Sequence, residues 1–225
     1  MKSKNNFIPR VAILLLLTVA PLLRAQGVPK QALIHQGRNM QGMFRVNDEK
    51  GGQWGINLNY GFIQQSTNNV YSNGQCLYVQ GNNFHFPGGQ GSVNKAGDEV
   101  QIGPWNYQGI QVYRRIKVFK KDGIARWIDI FHNPGGAKRV QIMLRTHMNY
   151  GIRSLQTNTG KNTFTDKDFA FITTSAHRNA PNTLHIVCGP KSKLRPTVQH
   201  RGNRYEVKYN LDLSAGGTMI LASFE

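Results

Sequence analysis

Acidic residues and cysteines are scarce in this chain of 225 residues. It has 11 Asp and Glu against 28 Lys and Arg, for a formal net charge of +17, and only two cysteines. Two cysteines exclude a disulfide-rich scaffold and a four-cysteine zinc site. The seven histidines show no H-x-H or H-E-x-x-H spacing, and no phosphate loop, dinucleotide fingerprint or nucleophile elbow is present. We therefore expect neither a metal nor a cofactor.

Long apolar runs are missing after the first 25 residues. A basic start precedes an apolar stretch at 11–23, and a small residue, Ala25, follows at a suitable cleavage position. This pattern predicts a signal peptide at residues 1–25 and a mature chain that begins at Gln26, the alternative being an uncleaved membrane anchor. The stretch is shorter than the roughly 20 residues of a membrane span. We expect an exported protein, periplasmic, secreted or at the cell surface, without a transmembrane span in the mature chain.

Two-residue alternation of apolar and polar side chains runs through most of residues 26–225, which is typical of β-strands. Three long strands are predicted at 110–119, 124–132 and 139–148, with the turns between them rich in Asp, Asn, Pro and Gly. We interpret these three strands as an antiparallel meander. With no convincing helical periodicity, residues 26–225 are predicted to form a single all-β domain, an antiparallel two-sheet sandwich.

Several stretches of the chain carry distinctive strand and turn motifs. They are residues 54–74, 112–118, 122–130 with Asn133-Pro134, and 205–224. In these stretches the chain resembles a β-sandwich module of large secreted bacterial surface proteins, which is similar to the galactose-mutarotase-like supersandwich. The resemblance covers most of residues 40–225 and implies the fold. Because the module has no settled activity, the resemblance implies no reaction.

The two cysteines, Cys76 and Cys188, both lie in apolar, strand-like contexts. Export makes a disulfide between them a reasonable expectation, which would close a loop of over a hundred residues and add about 4–5 kcal/mol in the chain-entropy model. Two buried free thiols are an equally reasonable interpretation. The sequence leaves both alternatives open.

One carboxylate, Asp129, lies in the middle of a predicted strand on the same face as two aromatic residues. A carboxylate in that place is either paired with an arginine or functional. Four arginines belong to the same group of strands and are candidate partners: Arg114, Arg115, Arg126 and Arg145. A mutarotase-like mechanism needs a histidine acid and a carboxylate base, and His132 and His147, both at strand ends, are candidates for the first role. We favour the structural ion pair.

Aromatic residues supply the remaining candidate site. Trp105 and Tyr107 fall in a predicted loop, Pro104–Tyr107, where core packing has no obvious need for them, and aromatic faces beside Asn, Gln and Arg suit sugar rings. The predicted binding set is therefore Trp105, Tyr107, Arg114, Arg126, Asp129 and His132.

Three functions follow as hypotheses. The first is an exported non-catalytic module that binds a glycan or an envelope protein partner. The second is a carbohydrate-active enzyme or epimerase of the mutarotase-like class, and the third is a structural envelope subunit, which would expose an apolar edge or patch. Whether the chain is an enzyme stays open, with the non-catalytic interpretation favoured. The basic surface is attracted to polyanions, which makes a glycan or an anionic envelope polymer a candidate partner, the alternative being a surface that only keeps the protein in solution. Export argues against nucleic acid.

Overall fold

The computed structural model describes Val28, Leu33 and residues 37–66, 69–175, 177 and 180–225. The predicted signal peptide at 1–25 lies outside these residues. Seventeen strands and no α-helix occur in the described part of the chain. Consequently, nothing in that part has the length and apolarity of a membrane-spanning helix.

The strands are mostly short and are separated by tight turns. In chain order they are β1 (Arg38–Gln41), β2 (Met43–Asn47), β3 (Gln53–Asn57), β4 (Phe62–Ser66), β5 (Tyr71–Val79), β6 (Asn82–Asn83), β7 (Gln90–Val93), β8 (Glu99–Tyr107), β9 (Ile110–Phe119), β10 (Ile124–His132), β11 (Lys138–Met148), β12 (Ile152–Thr157), β13 (Ala170–Ser175), β14 (Thr183–Ile186), β15 (Thr197–Arg201), β16 (Arg204–Leu213) and β17 (Thr218–Phe224).

Two antiparallel sheets form a sandwich, which confirms the predicted fold class. The first sheet has nine strands in the order β1-β7-β8-β9-β10-β17-β14-β13-β12. The second has eight, in the order β15-β16-β11-β5-β4-β3-β2, with β6 paired to β5. Every pairing is antiparallel. Such sheets bury one face each and leave the other to solvent.

The core lies between the sheets and follows the alternation that the sequence predicts. In β9 every second side chain from Ile110 to Val118 is buried, and in β16 the same is true from Tyr205 to Leu213. Each large apolar side chain removed from water contributes about 1.5–3 kcal/mol. This apolar layer is what holds the two sheets together.

The predicted meander is wrong at its third strand. β9 and β10 form the expected hairpin, but β11 pairs with β16 and β5 in the opposite sheet. The segment after β10 crosses from the nine-stranded sheet to the eight-stranded sheet. Asn133 stabilises this crossover, because its fully buried side chain donates hydrogen bonds to the carbonyls of Gly136 at 2.8 Å and Ser214 at 3.0 Å. Asn133 thereby fastens the β10–β11 crossover to the β16–β17 crossover, which runs between the same two sheets.

Candidate functional site

Arg114 and Asp129, two of the predicted binding residues, form a buried ion pair. The Arg114 Nε lies 2.7 Å from Asp129 Oδ1, and the Nη2 donates to Oδ2 at 3.3 Å. The side chains expose 0% and 1% of their surface. Burial raises the pKa of Asp129 above its usual value, against the opposing effect of the Arg114 charge. A carboxylate held in this way cannot reach a dissolved substrate, so a mechanism with Asp129 as the base does not fit the structure.

The same arginine connects the two sheets. Arg114 belongs to β9 in the nine-stranded sheet, and its Nη1 donates to the carbonyls of Gly61 at 3.0 Å and Gln75 at 2.8 Å, which belong to the other layer. Gly61 needs to be glycine, since its φ is +65° and an added Cβ would lie 2.8 Å from the Arg114 Cδ. The role of Arg114 is therefore to join the layers through polar contacts.

Arg126 and His132 lie on the outer face of the nine-stranded sheet. Arg126 Nη2 donates to Glu99 Oε1 at 3.1 Å, and Glu99 also pairs with Arg115 at 2.8 Å. The Nδ1 of His132 lies 3.0 Å from the Thr218 hydroxyl. Arg126 lies near the turn of the β9–β10 hairpin, and His132 lies at its open end. The structure therefore does not bring the predicted binding residues together in one place.

Trp105 and Tyr107 lie in strand β8 rather than in a loop, so that expectation is wrong. A β-bulge between Ile102 and Trp105 shifts the pairing with β9 by one residue. Because neighbouring side chains in a strand point to opposite faces, the shift turns Trp105 and Tyr107 towards the interior. Both become half-buried at the end of the core. The Trp105 ring packs edge-on against buried Phe84 at 5.5 Å, and Tyr107 stacks on it at 4.9 Å.

Polar groups from both sheets surround Tyr107. The exposed Asn82 amide donates a hydrogen bond to the Tyr107 hydroxyl, and Lys138 Nζ donates to the Gln108 carbonyl at 2.9 Å across the gap between the sheets. Gln80 completes this rim, with its amide bonded to the Arg139 carbonyl at 3.1 Å. We call Gln80, Asn82, Trp105, Tyr107, Gln108 and Lys138 the aromatic end site. It combines ring surface with hydrogen-bonding side chains at one end of the sandwich.

Two tight turns in this site have an unusual composition. The pairings Val79–Asn82 and Tyr107–Ile110 leave two-residue loops, Gln80-Gly81 and Gln108-Gly109. The φ angles of Gln80 and Gln108 are 51° and 48°, in the left-handed region where Asn, Asp and Gly are preferred. A non-glycine residue of another type held there costs on the order of 1 kcal/mol. Strain of this kind concentrates at ligand contacts, which makes the two glutamine side chains candidate ligand-binding groups.

A buried polar network at the opposite end of the sandwich was missed in the sequence. The Glu225 carboxylate, which is fully buried, lies 2.5 Å from His185 Nδ1. It also accepts hydrogen bonds from Gln75 at 2.5 Å, from Tyr71 at 2.9 Å and from Tyr205. The alternation of β17 was a usable signal, because Leu221 and Ser223 are buried and Glu225 continues the same face. Nothing in the sequence indicated His185 as its partner.

The electrostatics of this network favour an ionised carboxylate. Burial works to raise the pKa of Glu225, but His185 and the hydrogen bonds from Tyr205 and Gln75 hold that pKa below its usual value. A mostly apolar cavity of about 280 Å³ adjoins the network and is lined in part by Tyr71 and Glu225. Because the Glu225 and His185 side chains expose 0% of their surface, the network stabilises the fold and offers no catalytic group to solvent.

The two cysteines are free and buried, so the structure has the thiol alternative and not the disulfide. Burial raises the pKa of the Cys76 thiol to about 11 and also raises that of Cys188. Thiols in this state are unreactive. Within the described residues no group of three or more His, Cys, Asp or Glu is placed to hold a metal ion.

Comparison with known proteins finds similar chains among the solved structures. No protein-family model matches the chain, and no curated protein does. Among solved structures, the chain is similar to one titled "Putative kojibiose phosphorylase from human microbiome", with 8% identity and a TM-score of 0.38. The match covers 84% of this chain and 19% of that chain, so this chain spans a small part of that protein's length.

Proposed function

We propose that this chain is an exported, non-catalytic β-sandwich module that binds a glycan at the aromatic end site. The arrangement of Trp105 and Tyr107 beneath a polar rim supports the proposal. Sugar rings present apolar C–H faces and hydroxyl edges, and the site offers an aromatic surface with amides and one ammonium group around it. Export to the periplasm, cell surface or medium is supported by the sequence pattern of residues 1–25.

The location of the site also supports recognition rather than catalysis. Its residues come from two turns and from the neighbouring ends of three strands, β6, β8 and β11. They lie at one end of the sandwich, the position where β-sandwiches commonly carry binding loops. Hydrolysis of a glycosidic bond would need two carboxylates flanking the substrate. None of the six residues that define the aromatic end site is acidic. The finer assignment to the galactose-mutarotase-like class is part of this proposal and is supported by the strand and turn motifs described above.

A glycan-array screen of the purified protein, followed by titration calorimetry on the best glycan, tests the proposal. Tyr107→Ala should weaken binding about tenfold, since a central aromatic contact is commonly worth about 1–2 kcal/mol. Tyr113→Ala is the matched control, because Tyr113 is a half-buried tyrosine on the outer face of the neighbouring strand β9. The affinity of the Tyr113→Ala variant for the glycan should stay within about twofold of that of the parent protein.

A second variant protects the test against loss of the Tyr107 packing. Asn82→Ala removes an exposed amide of the rim without removing a core contact, and should weaken binding about threefold to tenfold. Absence of binding to every glycan, or equal loss in Tyr107→Ala and Tyr113→Ala, would contradict the proposal and favour an envelope protein partner or a structural role.

A further inference from the structure

The outer face of the eight-stranded sheet carries a row of basic side chains. Arg201 of β15 pairs with Arg204 of β16, which pairs in turn with His147 of β11. Neighbouring strands lie about 4.8 Å apart, so these side chains are close neighbours across three strands. Like charges directly opposite one another in a sheet are destabilising. The pairing of Arg201 with Arg204 is therefore electrostatically unfavourable for the folded protein.

Positive charge next to this row exceeds the negative charge available to neutralise it. Glu206 is the shared carboxylate: it lies 2.9 Å from Arg145, 3.1 Å from Lys208 and 3.8 Å from Arg204. Three cations thus share one anion, and Arg201 adds a fourth positive charge at the sheet edge. Arg204 and Lys208 keep 41% and 35% of their side-chain surface exposed, which leaves them accessible to an external anion.

The local field also acts on the histidine in the row. Partial burial, together with the charges of Arg145 and Arg204, lowers the pKa of His147. Burial is the largest cause, and the Glu206 carboxylate opposes the effect of the two arginines. The two arginines add to the effect of burial, as neighbouring cations do.

A groove continues from this face around the sheet edge. It has a volume of about 530 Å³ and runs between β15 and the loop that follows β12. Leu155, Phe164 and Val198 supply its apolar part, and Arg201 and Arg204 are among its polar lining. A chain-like ligand bound to the basic row can therefore extend past the edge of the sheet.

We infer that this surface, defined by His147, Arg201, Arg204 and Lys208, binds an anionic polysaccharide. Charge complementarity carries the inference, because a face with this excess of cations attracts a polymer bearing repeated carboxylate or sulfate groups. Single-stranded nucleic acid would also use base stacking, but Tyr78 lies under the Arg145 guanidinium at 4.7 Å, so its ring is not free to stack on a base. Duplex DNA, which is bound through its phosphates, is the competing probe in the test. The surface is separate from the aromatic end site, and the inference does not depend on the function proposed there.

Binding measurements on the purified full chain test the inference. The probes are polygalacturonate, which carries carboxylates, heparin, which carries sulfates, neutral dextran, and a DNA duplex. Arg201→Gln combined with Arg204→Gln should weaken binding to the anionic polysaccharide about tenfold at low salt and make the affinity less sensitive to salt. Binding of polygalacturonate or of heparin supports the inference and identifies the anionic group.

Lys120→Gln combined with Lys121→Gln is the matched control. It removes the same net charge from the exposed turn after β9, and affinity should stay within about twofold of the parent. Equal loss in the two double variants would show attraction by net charge alone and would overturn the inference. Tighter binding to the DNA duplex than to both anionic polysaccharides, or binding to dextran with the same affinity, would overturn it as well.

Discussion

Asp129→Asn tests the role assigned to the buried ion pair. Asparagine keeps the shape of the side chain and one oxygen acceptor, but it removes the charge that compensates Arg114. Because the pair is 0% and 1% exposed, the guanidinium stays buried without a counterion, with only neutral acceptors such as the carbonyls of Tyr60, Gly61 and Gln75 around it. Removal of one partner of such a pair costs about 3–5 kcal/mol.

The assay is urea unfolding followed by tryptophan fluorescence. A loss of 3–5 kcal/mol lowers the midpoint by about 1 M or more. Asp212→Asn makes the same chemical change in a surface pair with Arg139, where the atoms are 3.5 Å apart and the side chains are 72% and 82% exposed. That control should cost less than about 0.5 kcal/mol. If Asp129→Asn unfolds at the same urea concentration as Asp212→Asn, the Arg114–Asp129 pair does not stabilise the contact between the two sheets.

Four further predictions concern other parts of the molecule. Burial opposes ionisation of Asp168, but the hydrogen bonds that its carboxylate accepts hold its pKa to about 2. The stability that the ionised carboxylate contributes is complete above pH ~4 and is lost as the pH falls towards ~2. Asp168→Asn should therefore flatten the fall in melting temperature over that interval. Glu225→Gln leaves its buried donors poorly matched and should lower the free energy of unfolding by about 2–4 kcal/mol, measured by urea unfolding. Gln108→Asn suits the left-handed turn position better and should raise the melting temperature by a few degrees, corresponding to about 0.5–1 kcal/mol, while it weakens glycan binding in calorimetry. Because Cys76 and Cys188 are free, a reducing agent should leave the melting temperature unchanged, and a fall of several degrees would reveal a disulfide.

The local structure could be predicted because side-chain alternation is a local property. The bounds of β9 and β10 follow directly from it, and so does the inward face of β16. The sheet that each strand joins is a different matter. The assignment of β11 to the opposite sheet depends on Asn133 bonding to carbonyls about eighty residues away, and no short-range pattern records that contact.

The candidate site was only partly predictable for a related reason. The aromatic pair could be identified from its composition, but the bulge before Trp105 reverses which face the pair occupies. The link between Glu225 and His185 spans two strands that meet at one residue pair, Ile186 and Phe224. Tertiary packing sets both the pairing of distant segments and one-residue shifts in register. Side-chain alternation along the sequence therefore predicts neither of them.

An NMR titration of the isotopically labelled protein with the best glycan tests the proposed binding surface most directly. Saturable amide shifts should cluster at Gln80–Asn83, Trp105–Ile110 and Lys138, where the two glutamine turns meet the aromatic pair. Shifts centred on the cavity beside Tyr71 and Glu225, or no saturable shifts at millimolar glycan, would contradict glycan recognition at the aromatic end site.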